Sequence, residues 1–170
     1  AAEADELFRT LALGALKFFL LKVEPKKRML FNPAESIDFR GHTGPFVQYT
    51  HARIRAIGRK AAEQGLSADA AAFAGAGAVA ELNDSERELI AQLIGYRAAV
   101  RAAAAALAPS LIAQYAYELA KIYNRFYTDS PVLSEADAAR RALRLALSGR
   151  TAATLRAALG LLGIGAPERM

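Results

Sequence analysis

Cysteine is absent from the 170 residues of this sequence. A thiolate nucleophile, a disulfide framework and a cysteine-ligated zinc site are therefore excluded. No apolar run reaches the ~20 residues that span a bilayer. The closest, from Leu11 to Leu21, is short and interrupted by Lys17. The opening Ala1-Ala2-Glu3-Ala4-Asp5 lacks an initiator methionine and the basic stretch of a secretory signal. The expectation is a piece of a longer cytoplasmic protein. Catalytic signatures are missing too. No glycine-rich phosphate loop follows a strand, no Gly-x-Ser-x-Gly elbow occurs, and no carboxylate pair has a spacing that argues for a shared cleft. The only histidines, His42 and His51, are nine residues apart and match no metal-ligand spacing. His51 is expected on the polar side of its helix, in a surface or hydrogen-bonding role.

What is present is helix-forming sequence. The hydrophobic fraction is 54%, much of it alanine, which has the highest helix propensity and buries little area. An all-α helical bundle follows. The first helix is expected over 5–23, capped by Asp5 and ended by Pro25. Residues 26–43 read as an irregular segment with apolar Met29, Phe31, Ile37 and Phe39. Pro45 opens a second helix that runs to about Gln64 and stops at Gly65. An Ala/Gly-rich connector covers 67–79. Ser85 and Glu88 have capping-box spacing for the next helix, which is disturbed at Gly95 and continues over 96–107. The clearest amphipathic helix spans 110–127, with Ile112, Tyr115, Leu119, Ile122, Tyr123 and Phe126 on one face and Tyr117, Lys121 and Asn124 opposite. Ser134, with Asp137 three residues on, opens the last helix, which ends at Gly163 and Gly165. Residues 1–43 thus read as a first helix and connecting loop, and 44–170 as the helical domain.

The second helix carries the chemistry. Between Pro45 and Ala62 it holds Arg53, Arg55, Arg59 and Lys60 and no acid. Crowded like charges repel unless a partner neutralises them, and phosphates are one such partner. The chain's Lys+Arg 22 against Asp+Glu 17, net +5, suits a polyanion. An ordinary solvated surface gives the same balance. Tyr49 and Arg53, four apart, share a helix face. They offer unpaired RNA bases a stacking ring and a guanidinium, or else Tyr49 packs in the core. Tyr117 and Tyr127 lie off the centre of the apolar stripe, where a partner can reach them. Asn124 beside them can serve a base edge or an inter-helix bond.

The run Ile37-Asp38-Phe39-Arg40-Gly41-His42-Thr43-Gly44-Pro45-Phe46-Val47-Gln48-Tyr49-Thr50-His51-Ala52-Arg53-Ile54 resembles arginyl-tRNA synthetase. Three further blocks agree in order: Leu30-Phe31-Asn32-Pro33, then Tyr117-Glu118-Leu119-Ala120-Lys121 with Asn124, Phe126 and Tyr127, then Arg144-Leu145-Ala146-Leu147 with the ending Gly163-Ile164-Gly165-Ala166-Pro167-Glu168-Arg169-Met170. The resemblance implies the helical anticodon-binding domain of that class I synthetase. Its Rossmann-type catalytic domain and ATP signatures are expected upstream of this region. The full-length enzyme would join arginine to its tRNA with ATP and magnesium. This piece would bind neither and would be inactive alone. The partners implied are tRNA for arginine and the chain's own catalytic domain.

By the same resemblance, Asp38, Arg40, Gly41, His42 and Thr43 would approach the anticodon loop. Tyr49 and Arg53 would contact its nucleotides; to these the basic second helix adds Arg55 and Arg59 as tRNA-binding candidates, and the amide beside Tyr127 adds Asn124. Tyr127 would form a base pocket that Met170 closes. Phe46 stands where the family often has tyrosine, so no hydroxyl is available there. The alternative is a non-catalytic helical protein-interaction module with a basic face.

Overall fold

A computed structural model describes residues 2–24, 26–30, 32–67, 79 and 81–170. Among them the chain forms helices and no strand: α1 (Ala2–Leu21), α2 (Pro33–Ser36), α3 (Gly44–Glu63), α4 (Asp84–Ile94), α5 (Tyr96–Ala106), α6 (Ser110–Asp129) and α7 (Ala138–Leu161). The connector expected over 67–79 lies, apart from Ser67 and Val79, outside the described residues, as do Pro25 and Phe31.

Helix α6 is the axis of the bundle. Its expected apolar face is buried at Ile112, Tyr115, Leu119, Tyr123 and Phe126, and it packs against α7, α4, α5 and α3. Helix α3 lies between α1, α6 and α7, burying Val47, Ile54, Ile57 and Ala61. This burial of apolar area is the main stabilising term. Helices α1 and α3 cross at two glycines. A Cβ on Gly44 would lie 2.5 Å from the Gly14 carbonyl oxygen, so only glycine permits the approach.

Several caps differ from the sequence expectation. Asp5 lies in the first turn of α1 rather than at its cap. The segment 26–43 contains one helical turn, α2, begun by the Asn32 side chain and Pro33. The capping box of α4 is Asn83 with Glu86, two residues earlier than Ser85 with Glu88. Helix α7 begins after Asp137, whose carboxylate accepts from the Arg140 amide, and not at Ser134.

Glu86 also has a tertiary role. It is fully buried and accepts from Arg144 Nε at 2.8 Å. Arg144 donates in addition to the Pro131 carbonyl and the Glu135 carboxylate, each at 2.7 Å. Ser130, fully buried, takes Asn83 and Ser85 at 3.0 and 2.9 Å. The loop 130–137 is thereby tied to the start of α4 and to α7. Buried charges need this degree of pairing to offset their desolvation.

Candidate nucleic-acid interface

Helix α3 sorts its polar residues into two stripes. Its start is fixed by Thr43, whose hydroxyl accepts from the Phe46 amide, and by Pro45 in the first turn. The first stripe is Gln48, His51, Arg55 and Arg59, spaced at three and four residues along one helical face. All four hold the returning tail of the chain. Gln48 Nε2 donates to the Gly165 carbonyl at 2.8 Å. His51 Nδ1 donates to the Pro167 carbonyl, 2.9 Å away. Arg55 Nε pairs with the Glu168 carboxylate at 2.5 Å, and Arg59 donates to the Glu168 carbonyl at 3.0 Å.

The second stripe, Tyr49, Arg53 and Lys60, faces two clefts. One, of about 500 Å³, is lined by Tyr49, Ala52, Arg53, Ala56, Arg59, Arg169 and Met170. Its neighbour, of about 420 Å³, is lined by Arg53, Ala56, Ile57, Lys60, Tyr127, Thr128 and the loop residues Pro131, Val132, Leu133 and Ser134. Arg53 and Ala56 belong to both. The Arg53 guanidinium carbon lies 4.2 Å from the centre of the Tyr127 ring, a cation–π contact that stiffens the partition. The alanines at 52 and 56 leave the floor open. Among the described residues no acidic side chain lines either cleft, whereas Arg53, Arg59, Lys60 and Arg169 do, so anionic ligands meet cations on several sides. Tyr49 is 47% exposed and Met170 41%. The ring is neither swallowed by the core nor remote from the tail.

The candidate residues divide accordingly. Tyr49, Arg53, Arg59, Tyr127 and Met170 come together at the clefts. Arg55 is turned to the tail, and its charge is met by Glu168 within the fold. Asn124 bridges helices, donating to Thr50 Oγ1 at 3.0 Å. Asp38 and Thr43 shape their own loop: Asp38 Oδ1 accepts from the Arg40 amide at 2.8 Å, and Thr43 Oγ1 donates to the Asp38 carbonyl at 2.5 Å. Gly41, at φ +82°, supplies the left-handed turn between them. The Arg40 side chain is exposed. His42 is half-buried, its ring 4.4 Å from that of Tyr117 and its carbonyl accepting from Lys22 Nζ. Tyr117 is thus partly covered by the loop.

His51 is the main correction. It lies in the polar stripe and bonds the Pro167 carbonyl, but at 1% exposed beneath the tail it has no surface role. Burial lowers its pKa, the nearby Arg156 and Arg55 charges lower it further, and the Pro167 bond opposes them. Burial, followed by the Lys22 charge, lowers that of His42.

Sequence spacing does not announce every residue at or beside the clefts. Phe39, half exposed, meets Tyr49 edge-on with centroids 6.4 Å apart. Arg169 lines the Tyr49 cleft and residues 131–134 the Tyr127 cleft, while Glu168 lies just outside both linings. The spacing of Gln48, His51, Arg55 and Arg59 was the available signal for a clasped tail. No local pattern announced that Pro131–Ser134 would wall a cleft.

Comparison with known proteins bears on the family and the fold. The sequence model of the DALR anticodon binding domain matches residues 47–170. The arginine–tRNA ligase of Phocaeicola vulgatus is 49% identical over 168 residues, covering 99% of this chain and 27% of that protein. That of Bacteroides thetaiotaomicron is 48% identical, with 99% and 28% covered. The chain therefore spans little more than a quarter of these relatives. Among solved structures, Thermus thermophilus arginyl-tRNA synthetase superposes with TM-score 0.80 at 37% identity, over 95% of this chain and 27% of the other. The Plasmodium falciparum enzyme, at 23% identity and TM-score 0.82 over 98% of this chain and 28% of that one, shares the fold.

Proposed function

The chain belongs to the DALR anticodon binding domain family, and from that premise we propose that it binds the anticodon loop of arginine tRNA as part of an arginine–tRNA ligase. The supporting observation is the cleft in which Tyr49, Arg53 and Met170 meet. An exposed ring, a guanidinium and a flexible thioether around one opening suit an unstacked base. The surrounding Arg59, Arg169 and Lys60 suit the phosphates that flank it. Tyr127, held under Arg53, supports the second cleft.

The ligase activity is proposed from the relatives, of which this chain spans about 27–28%. ATP and magnesium belong to that proposed activity. The described residues contain no group of three or more His, Cys, Asp or Glu side chains placed to hold a metal ion, and no glycine-rich phosphate loop occurs in the sequence. A cytoplasmic setting belongs to the same proposal. Among the described residues, no helix is long and apolar enough to cross a membrane.

The test is equilibrium binding of fluorescent arginine tRNA and of the same tRNA with an exchanged anticodon. Preference for the arginine anticodon supports base readout in the cleft. Equal affinity for the two contradicts it. Ribonuclease-sensitive capture separates this reading from a basic protein-interaction module, whose partners survive the nuclease.

A further inference from the structure

The last residues of the chain are held residue by residue. Lys17 Nζ donates to the Gly163 carbonyl at 2.5 Å, Gln48 Nε2 to Gly165 at 2.8 Å, and His51 Nδ1 to Pro167, 2.9 Å away. Gly163 closes the turn at the end of α7, at φ +66°, and beyond it the Gly165 and Pro167 carbonyls are both taken by side chains of α3. At Glu168 the pattern changes. Its carbonyl takes Arg59, and its carboxylate takes both Arg55 and Arg156. These are contacts from two helices, α3 and α7. Two residues further on, Met170 lies in the cleft with Tyr49 and Arg53.

We propose that Glu168 is a positioning residue for RNA recognition: its carboxylate, shared between Arg55 and Arg156, fixes the direction in which residues 169 and 170 enter the cleft. The inference rests on the RNA-binding reading above and extends it to a residue outside the cleft lining. One exposed ion pair contributes little to stability. Here the carboxylate is divided between two guanidiniums, on a backbone already fixed at 163, 165 and 167, so its remaining effect is local. A flexible methionine is a useful cleft wall only if the residue before last has one orientation. The neutral variant Glu168→Gln keeps the three upstream anchors and is expected to fold.

Charge and position act in opposite directions. If Glu168 merely offsets the arginines, Glu168→Gln tightens binding of every RNA alike. If it aims the tail, the variant binds an unmatched anticodon stem-loop as well as or better than the parent but loses preference for the arginine anticodon. A decrease of roughly three- to tenfold in the affinity ratio is expected, on the scale of one lost side-chain contact. With Met170 deleted, Glu168→Gln is expected to change the ratio no further, because residues acting through one another are not additive. An unchanged ratio, or a full effect without Met170, overturns the proposal.

A second readout needs no RNA. With ¹³C-methyl methionine in the 170-residue chain, Glu168→Gln is expected to move the Met170 methyl resonance towards its unstructured position while Met29 stays. An unmoved Met170 signal overturns the positioning role even where RNA binding is intact. Absence of anticodon preference in the parent chain, with a Met170 signal that does respond, instead overturns the RNA-binding reading and, with it, the role in recognition.

Discussion

Arg53 and Tyr127 face each other across two helices, guanidinium carbon to ring centre 4.2 Å, and this pair divides one cationic cleft from the next. On RNA binding, Arg53→Ala removes a phosphate or base contact and the stiffness of the partition together. A loss of ~10- to 100-fold in affinity is expected. Arg53→Lys keeps the charge but not the planar stack, and is expected to recover only part of it. Titration of the anticodon stem-loop against both variants checks this. Equal affinities for parent and Arg53→Ala contradict it.

The two polar stripes of α3 should separate in salt. Each phosphate neutralised on a single strand contributes a slope of about −0.7 in log K against log salt. Lys60→Ala, on the stripe that faces the clefts, is expected to flatten the slope by about that amount. Arg55 already has Glu168 as its counter-charge, so Arg55→Ala should leave the slope nearly unchanged. Binding measured across a salt series for the two variants decides it, and identical flattening by both contradicts the assignment of stripes.

Arg144 and Glu86 form the buried hinge-pin of the second cleft wall, with side chains 5% and 0% exposed. Arg144→Met strands the Glu86 carboxylate without its main partner and frees Pro131 and Glu135. Destabilisation of about 3–5 kcal/mol is expected. Urea unfolding reads it. A companion Glu86→Gln/Arg144→Met variant should recover part of the loss, since the cost lies in the unpaired charge.

Acid should loosen the tail. His51 has a lowered pKa in the fold, mainly from burial, so the folded protein favours neutral imidazole and the unfolded chain binds the proton more tightly. Stability is therefore complete above the ordinary value of 6.5 and is lost as pH falls through it towards the depressed folded value. His42 shifts the same way. Urea midpoints across this window, with His51→Asn as comparison, are expected to show a shallower pH slope for the variant. A parallel slope would mean that His51 does not carry the effect.

How much of this was readable in the chain depends on how far each feature reaches. The start of α3 was legible because Thr43, Gly44 and Pro45 determine it locally. The buried face of α6 was legible because its apolar residues repeat at helical spacing. The cap of α4 was misplaced because Asn83-Asp84-Ser85-Glu86-Arg87-Glu88 offers two boxes in overlapping registers. The choice is made at a distance, by Ser130 and Arg144 gripping Asn83 and Glu86. A surface role for His51 fails because one helix's periodicity does not register a tail returning 116 positions later to cover it. The family motif brought Tyr49, Arg53, Tyr127 and Met170 to notice. The clasp that sets Met170 among them needed three dimensions.

Met170 and the Tyr49–Arg53 face are expected to share one RNA base. Photoreactive methionine in place of Met170, irradiated with bound arginine tRNA and mapped by sequencing of the cross-linked RNA, tests it directly. A cross-link confined to an anticodon nucleotide, and lost with Tyr49→Ala, is the expected result. Cross-linking to the stem or another arm of the tRNA, or none while binding persists, contradicts the account.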